Sequence, residues 1–292
     1  MTPPPPPDRR GRRPGPPPRA SRAGGELAPR RPGGPARGRN EGLGGEQVEG
    51  RRAVRELLVA RRRRVRDVWI SDTADPSHPV VAEILALADE QRVPLRQVAR
   101  ARLDAEARSE APQGVLAHAE PIPETDLAAL VRRRDGVAPP FLLVLDGVTD
   151  PQNLGAVLRT ADSSGVTGVV LGRHRSVHIT PTVAKAAAGA VEYVPLALAA
   201  GIPAALQTLA AAGIWTVGLD GDADQLLFDL DLATEPVALV LGAEGTGLSR
   251  LVRERCDVRA GIPQLGALSS LNVGAAAAVA CFEVARRRLG RS

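Results

Sequence analysis

The chain has 292 residues, 43% hydrophobic and 24% charged, enough for a core of ordinary density and, at roughly 100–200 residues per domain, for two domains. Its net charge of +5 is uneven: residues 1–46 hold ten arginines against four acids, a net of +6, so the remainder sums to −1. Two cysteines, Cys256 and Cys281, exclude a disulfide scaffold; no apolar run approaches the ~20 residues of a membrane span, and without a hydrophobic signal core a cytoplasmic location is expected.

Residues 1–46 are Pro, Gly and Arg with almost no large apolar side chains. Such a segment cannot bury enough surface to offset its ordering entropy, so a disordered basic tail is expected, either solubilising or a weak RNA tether. Residues 47–120 read as a small α/β domain. A helix begins within Glu49–Leu58, with Val54, Leu57 and Leu58 apolar, and a strand follows at Val65–Ile70. Val80–Gln91 has helical spacing through Val81, Ile84, Leu85 and Leu87, and short strands are expected at Val93–Val98 and Gln113–Ala117. Residues 121–140 read as a helix (Glu124–Arg134) and a linker ending at Pro139-Pro140.

From 141 to 288 strand and helix alternate. Strands are expected at 141–145, 167–171, 191–194, 214–219, 237–241 and 257–262, and helices at 151–163, 181–188, 202–212, 247–254 and 271–288. The alternation implies a mostly parallel sheet covered on both faces. Open α/β sheets place ligands beyond the carboxyl ends of their strands. The run Phe141–Leu145 leads directly into such a place, with Asp150 as a helix cap and Pro151 where a missing N–H does no harm. Asn153 and Arg159 therefore stand just past a strand, a neutral amide and a fixed positive charge suited to a polar substrate.

A second strand end, Val240-Leu241-Gly242-Ala243-Glu244-Gly245-Thr246-Gly247-Leu248, carries three glycines and one acid. Glycine lets a ligand approach the backbone. Glu244 would repel phosphate, and the Lys-Ser/Thr ending of a triphosphate loop is missing; a cationic or neutral ligand suits the loop, as does a plain tight turn with a solvated glutamate. The third motif, Ile262–Gly274, opens the apolar helix Ala275–Val284, with Ser270 and Asn272 in capping positions.

The runs NLGAVLRT (153–160), LGAEGTGL (241–248) and IPQLGALSSLNVG (262–274), in that order, resemble the SpoU (TrmH-like) family of RNA ribose 2′-O-methyltransferases. QVEGRRAV (47–54) and PQGV (112–115) extend the resemblance to that family's RNA-binding domain, so it covers residues 47–288. Within the family the chain most resembles members that methylate a guanosine ribose in large-subunit (23S) ribosomal RNA. The alternatives are a transfer RNA or another ribosomal nucleotide, or a non-catalytic RNA-binding or ribosome-assembly protein.

The resemblance implies an α/β trefoil-knot (SPOUT) domain over 141–288, a homodimer through it, and S-adenosylmethionine held by Gly242, Ile262 and Leu271. It also implies that Arg159 activates the ribose hydroxyl. A guanidinium pKa above ~12 disfavours literal proton abstraction, so Arg159 is expected to stabilise the developing oxyanion by charge and hydrogen bonds while the proton leaves through water or a phosphate. Glu244 would hold Arg159 or Asn153 in place, and Ser270 and Asn272 would complete a polar network around the hydroxyl. Gly274 stands where many members have serine, and Gln264 where many have methionine.

Arg51, Arg52 and Arg55, with Arg61, Arg62, Arg63, Arg64 and Arg66, form a dense basic set expected to meet RNA phosphates, the alternative being a solvated helix end. Aromatic residues make up only 2%, so no stacking platform is evident. Trp69 and Trp215 lie in apolar strand patterns and are expected in the core. His174 and His178 are four apart, yet no carboxylate or cysteine completes a set, and no metal is expected.

Overall fold

The computed structural model describes residues 42–132, 138–173, 178–267 and 270–290. The expectation of a disordered tail falls mainly on residues 1–41, outside the described residues, as does His174. Residues 42–46, also expected in the tail, are instead packed: Leu43 is buried, and Gly44 bridges Ile179 of the large domain.

The small domain runs β1 (Gln47–Glu49), α1 (Arg51–Ala60), β2 (Val65–Ser71), α2 (Pro79–Glu90), β3 (Leu95–Val98), α3 (Arg100–Glu106) and β4 (Val115–Ala119). Gly50 separates β1 from α1 at φ 93°, a conformation open to glycine, and so ends the strand that the helix expectation had absorbed. The sheet order is β1-β4-β2-β3, antiparallel except for β2 with β3. Val54, Leu57 and Leu58 of α1 and Ile84 of α2 cover one face. On the other face Leu103 of α3, a helix not expected from the sequence, packs with Trp69 and Leu116.

Between the domains the expected 124–134 helix contracts to α4 (Leu127–Leu130), capped by Asp126, and its last residues fall outside the described set. Upstream, Glu124 bridges Leu196 and the Thr125 N–H donates to the Leu196 carbonyl at 2.7 Å, so the chain there is extended alongside β7 and the helix starts only after the Asp126 cap.

The large domain runs β5 (Phe141–Asp146), α5 (Pro151–Ser163), β6 (Gly168–Gly172), α6 (Pro181–Ala186), β7 (Leu196–Ala199), α7 (Ile202–Ala211), β8 (Trp215–Leu219), β9 (Val237–Gly242), α8 (Arg250–Arg255), β10 (Val258–Ala260) and α9 (Val273–Leu289). Its six strands are all parallel, in the order β10-β8-β9-β5-β6-β7. Alternate residues face opposite sides. Leu143, Leu145, Leu239 and Leu241 pack with α5, α6 and α9, and Leu142, Val144, Ala238 and Val240 pack with α7 and α8. Both faces are covered, which is why the strands read as unbroken apolar runs.

The strand expected at 191–194 is a 3-10 turn over Ala190–Glu192, and β7 begins at Leu196. Ala188 (φ 51°) and Gly189 (φ 89°), both left-handed, reverse the chain there. Gly189 has no room for a side chain, since a Cβ would stand 2.4 Å from that of Glu56. Trp215 is 45% exposed rather than in the core, at the first residue of β8. Among the described residues, no helix is long and apolar enough to cross a membrane.

The described residues form one compact unit. Arg63 is buried between the domains, Tyr193 Oη donates to Glu56 Oε2 at 2.6 Å, and Lys185 Nζ donates to the Ala111 carbonyl at 2.6 Å.

Candidate active site

Two strand ends and a helix start build the site. At the end of β5, Gly147 (φ 80°) turns the chain. Asp150 then accepts from the Asn153 backbone N–H at 2.8 Å and, with Pro151 at the first helical position, starts α5. Asp146 accepts from Ser249 N at 2.7 Å, tying this turn to the start of α8. At the end of β9, Ala243 and Gly247 exchange both backbone hydrogen bonds, at 3.0 and 2.8 Å. This closes a tight loop with Gly245 (φ 78°) at its tip. A Cβ on Gly242 would lie 2.1 Å from the Gly247 carbonyl carbon, so only glycine fits. The third element is the start of α9.

Asn272 caps α9: its Oδ1 accepts from Gly274 N at 2.9 Å and Ala275 N at 3.3 Å. That fixes which end of its amide points outward. Its Nδ2 donates to Asn153 Oδ1 at 2.8 Å and to Glu244 Oε1 at 3.1 Å. Asn153 Nδ2 donates in turn to Glu244 Oε2 at 2.8 Å. The three side chains form a closed ring, with Asn272 fully used. One Asn153 N–H and the outer lone pairs of Glu244 remain for a substrate.

Beside the ring lies a cleft of about 450 Å³ walled by residues 219–222 and 241–247, by Ile262 and Gln264, and by residues 270–273 and Ala276 at the start of α9. Gly242, Ile262, Leu271 and Ser270 all line it, as do Glu244 and Asn272. Its volume suits a nucleoside-sized ligand, and its bare glycine backbone and aliphatic side chains suit an adenosine, so these residues fit the cofactor that the motifs imply. Ser270 has no hydrogen-bond partner among the described residues, so the ring forms without it. Arg159 is exposed on α5, does not line the cleft, and bonds to none of the described residues; Glu244 holds Asn153, not Arg159. Gly274 packs tightly, since a Cβ would meet Ala156 Cβ and Asn272 Oδ1, each at 3.1 Å. A serine there would press on the ring.

The basic set is dispersed. Arg63 is corrected outright: its side chain is 2% exposed and its guanidinium forks onto Glu192, with Nη1 donating to the Gly45 and Glu120 carbonyls at 2.6 and 2.5 Å. It is structural and out of reach of a phosphate. Arg55 pairs with Glu56 and Glu83, and Arg61 with Glu90 at 2.6 Å. Arg62 donates to the Glu192 carbonyl, and Arg51 Nε to that of Gln113. Arg52 and Arg64 are exposed, and their side chains bond to none of the described residues. One group was missed in the sequence: Asp220, past β8, with Arg253 and Arg259 on its carboxylate. Its signal was the Leu219-Asp220-Gly221-Asp222 strand end, an acid beside glycine at the same edge of the sheet.

A parallel α/β sheet with a polar ring and a nucleoside-sized cleft at its carboxyl edge, joined to a small α/β domain, defines a two-domain enzyme that acts on a ligand of its strand ends. The SpoU rRNA Methylase family model matches residues 140–282, and the RNA 2′-O ribose methyltransferase substrate binding model matches residues 47–125. The chain belongs to the SpoU family and is an S-adenosylmethionine-dependent RNA 2′-O-methyltransferase. It is 42% identical over 246 residues to the 23S rRNA (guanosine-2′-O-)-methyltransferase RlmB of Pseudomonas putida, covering 83% of this chain and 97% of that one. The Pseudomonas aeruginosa RlmB is 43% identical over 247 residues, with the same shares. Among solved structures, the SpoU methyltransferase AviRb of Streptomyces viridochromogenes with AdoMet superposes with a TM-score of 0.69 at 25% identity, covering 84% of this chain and 90% of that one. The AdoMet-bound rRNA methyltransferase of Sinorhizobium meliloti gives 0.68 at 25% identity, covering 82% and 87%.

Proposed function

We propose that this enzyme methylates the ribose 2′-hydroxyl of a guanosine in 23S ribosomal RNA, in the cytoplasm, as a homodimer through a knotted large domain. The observation that carries the chemistry is the closed Asn153–Glu244–Asn272 ring at the rim of the cleft. The likeness to two RlmB enzymes over 97% of their length supports the RNA. Three loops from separate crossovers sharing one cleft support the knotted threading. Exposed Val279 and Phe282, three apart on one face of α9, support a second copy covering that helix, and Arg159, free of its own chain's cleft, supports a site completed across the pairing.

The cofactor, when bound, supplies an electrophilic methyl on sulfonium. The ribose hydroxyl must be held in line and its developing charge stabilised. Glu244 offers acceptor lone pairs and Asn153 one amide N–H, which orient the hydroxyl. Arg159 brings a permanent charge and a planar fork of donors to the oxyanion, and the proton leaves to water or a phosphate. Exposed Arg52 and Arg64 of the small domain meet backbone phosphates, with Arg51, Arg61 and Arg62 beside them.

The test is incubation with methyl-labelled cofactor and unmodified 23S rRNA or transfer RNA, followed by mapping of the labelled ribose. Label at one guanosine of 23S rRNA is expected. Label on transfer RNA, or cofactor binding with no RNA labelled, overturns the assignment.

A further inference from the structure

The wall of the cleft has an unbalanced set of charges. Asp220, Asp222 and Glu244 supply three carboxylates, and Arg253 is the one cation among the described residues that line it. Asp220 is committed: its side chain is 5% exposed, Oδ1 accepts from Asp222 N at 3.2 Å, and Oδ2 meets both Arg253 Nε at 3.2 Å and Arg259 Nη1 at 3.3 Å. Two guanidiniums on one carboxylate leave a surplus positive charge. Arg259 spends a terminal nitrogen on Asp220. Arg253 approaches through Nε, out of hydrogen-bond alignment, and its two terminal nitrogens hydrogen-bond to none of the described residues. The side chain is held at the wall of the cleft with its bidentate end unspent.

S-adenosylmethionine carries two cationic centres, sulfonium and ammonium, and one carboxylate. Asp222 and Glu244 are the carboxylates of the wall that no cation among the described residues neutralises, and they are opposite in sign to the two cationic centres. The cofactor's own carboxylate has one partner of opposite sign in this wall. We propose that Arg253, positioned by Asp220, binds the α-carboxylate of the methyl donor. This rests on the reading of the cleft as the cofactor site. A guanidinium–carboxylate contact is charge-assisted, and its loss weakens binding by about tenfold or more.

The test is calorimetric titration of the full-length protein with S-adenosylmethionine and with decarboxylated S-adenosylmethionine, which differs only by the missing carboxylate. The wild type is expected to prefer the intact cofactor by about tenfold or more. Arg253→Gln should abolish the preference by weakening the intact cofactor alone, and Arg259→Gln should retain it. Equal binding of the two ligands by the wild type overturns the proposal without any variant. So does a preference that survives Arg253→Gln, including the case in which that variant weakens RNA binding instead, which would assign Arg253 to a phosphate. Failure of both ligands to bind the wild type would overturn the cofactor site itself, a distinct outcome.

Discussion

Arg63 forks onto Glu192, Nη2 to Oε1 at 2.6 Å and Nε to Oε2 at 3.0 Å, with both side chains 2% exposed. The pair joins the small domain to the turn before β7. Breaking one half strands a buried charge, so Glu192→Gln is expected to destabilise the protein by about 3–5 kcal/mol, read as a fall in urea midpoint. Replacing both, as Arg63→Met with Glu192→Leu, should recover part of the loss. The double variant should keep the salt dependence of RNA binding, whereas Arg52→Ala or Arg64→Ala should each lower the slope by roughly one.

Gly242→Ala drives a methyl into the Gly247–Leu248 backbone, which must shift to admit it. Cofactor binding by calorimetry should be lost while far-ultraviolet circular dichroism stays near wild type, because the strands and helices lie behind the loop. An alanine variant that binds cofactor normally would show that the loop is looser than its two internal hydrogen bonds indicate.

Glu244 accepts from two amides. Glu244→Gln keeps its shape but turns one acceptor into a donor facing another donor, so the ring cannot close. A fall of about 10²-fold or more in single-turnover rate is expected, the scale of losing one positioned polar group.

Arg159→Lys keeps the charge and loses the fork. Since Arg159 does not line the cleft of its own chain, the rate should drop by about 10²-fold with cofactor affinity unchanged if the affinity is measured on a monomeric form. Full activity would remove Arg159 from the chemistry.

Tyr193 is the only tyrosine, so absorbance titration reports it alone. Burial, then its hydrogen bond to Glu56, push its hydroxyl up from 10.0 to about 12. A folded-state value above the unfolded one means that the contact's stabilisation is complete below pH 10 and lost as pH rises through about 12. The native protein should titrate near 12 and the urea-unfolded chain near 10. Glu56→Gln should lower the native midpoint.

Much of this architecture was legible because both faces of the large sheet are buried: Phe141–Leu145 and Val237–Leu241 are apolar throughout and bounded by turn residues. Asn153, Glu244 and Asn272 were legible through their motifs. Their mutual bonds were not, since those span 91, 119 and 28 residues. The 191–194 strand was misplaced because its apolar pattern resembles β7 and only the left-handed pair at 188–189 reveals the turn. Arg63 was misread because a row of arginines carries no mark of which one faces inward; Glu192, its partner, lies 129 residues away.

Asn272 performs two tasks with one amide. The oxygen that secures the first turn of α9 fixes the nitrogen that holds Glu244 and Asn153, so the reactive geometry is inherited from the integrity of a helix end. If the ring orients the substrate as proposed, a perturbation that frays that turn, whether heat, a proline insertion or a competing cap, is expected to lower turnover before the sheet beneath it melts, because four hydrogen bonds converge on that one side chain.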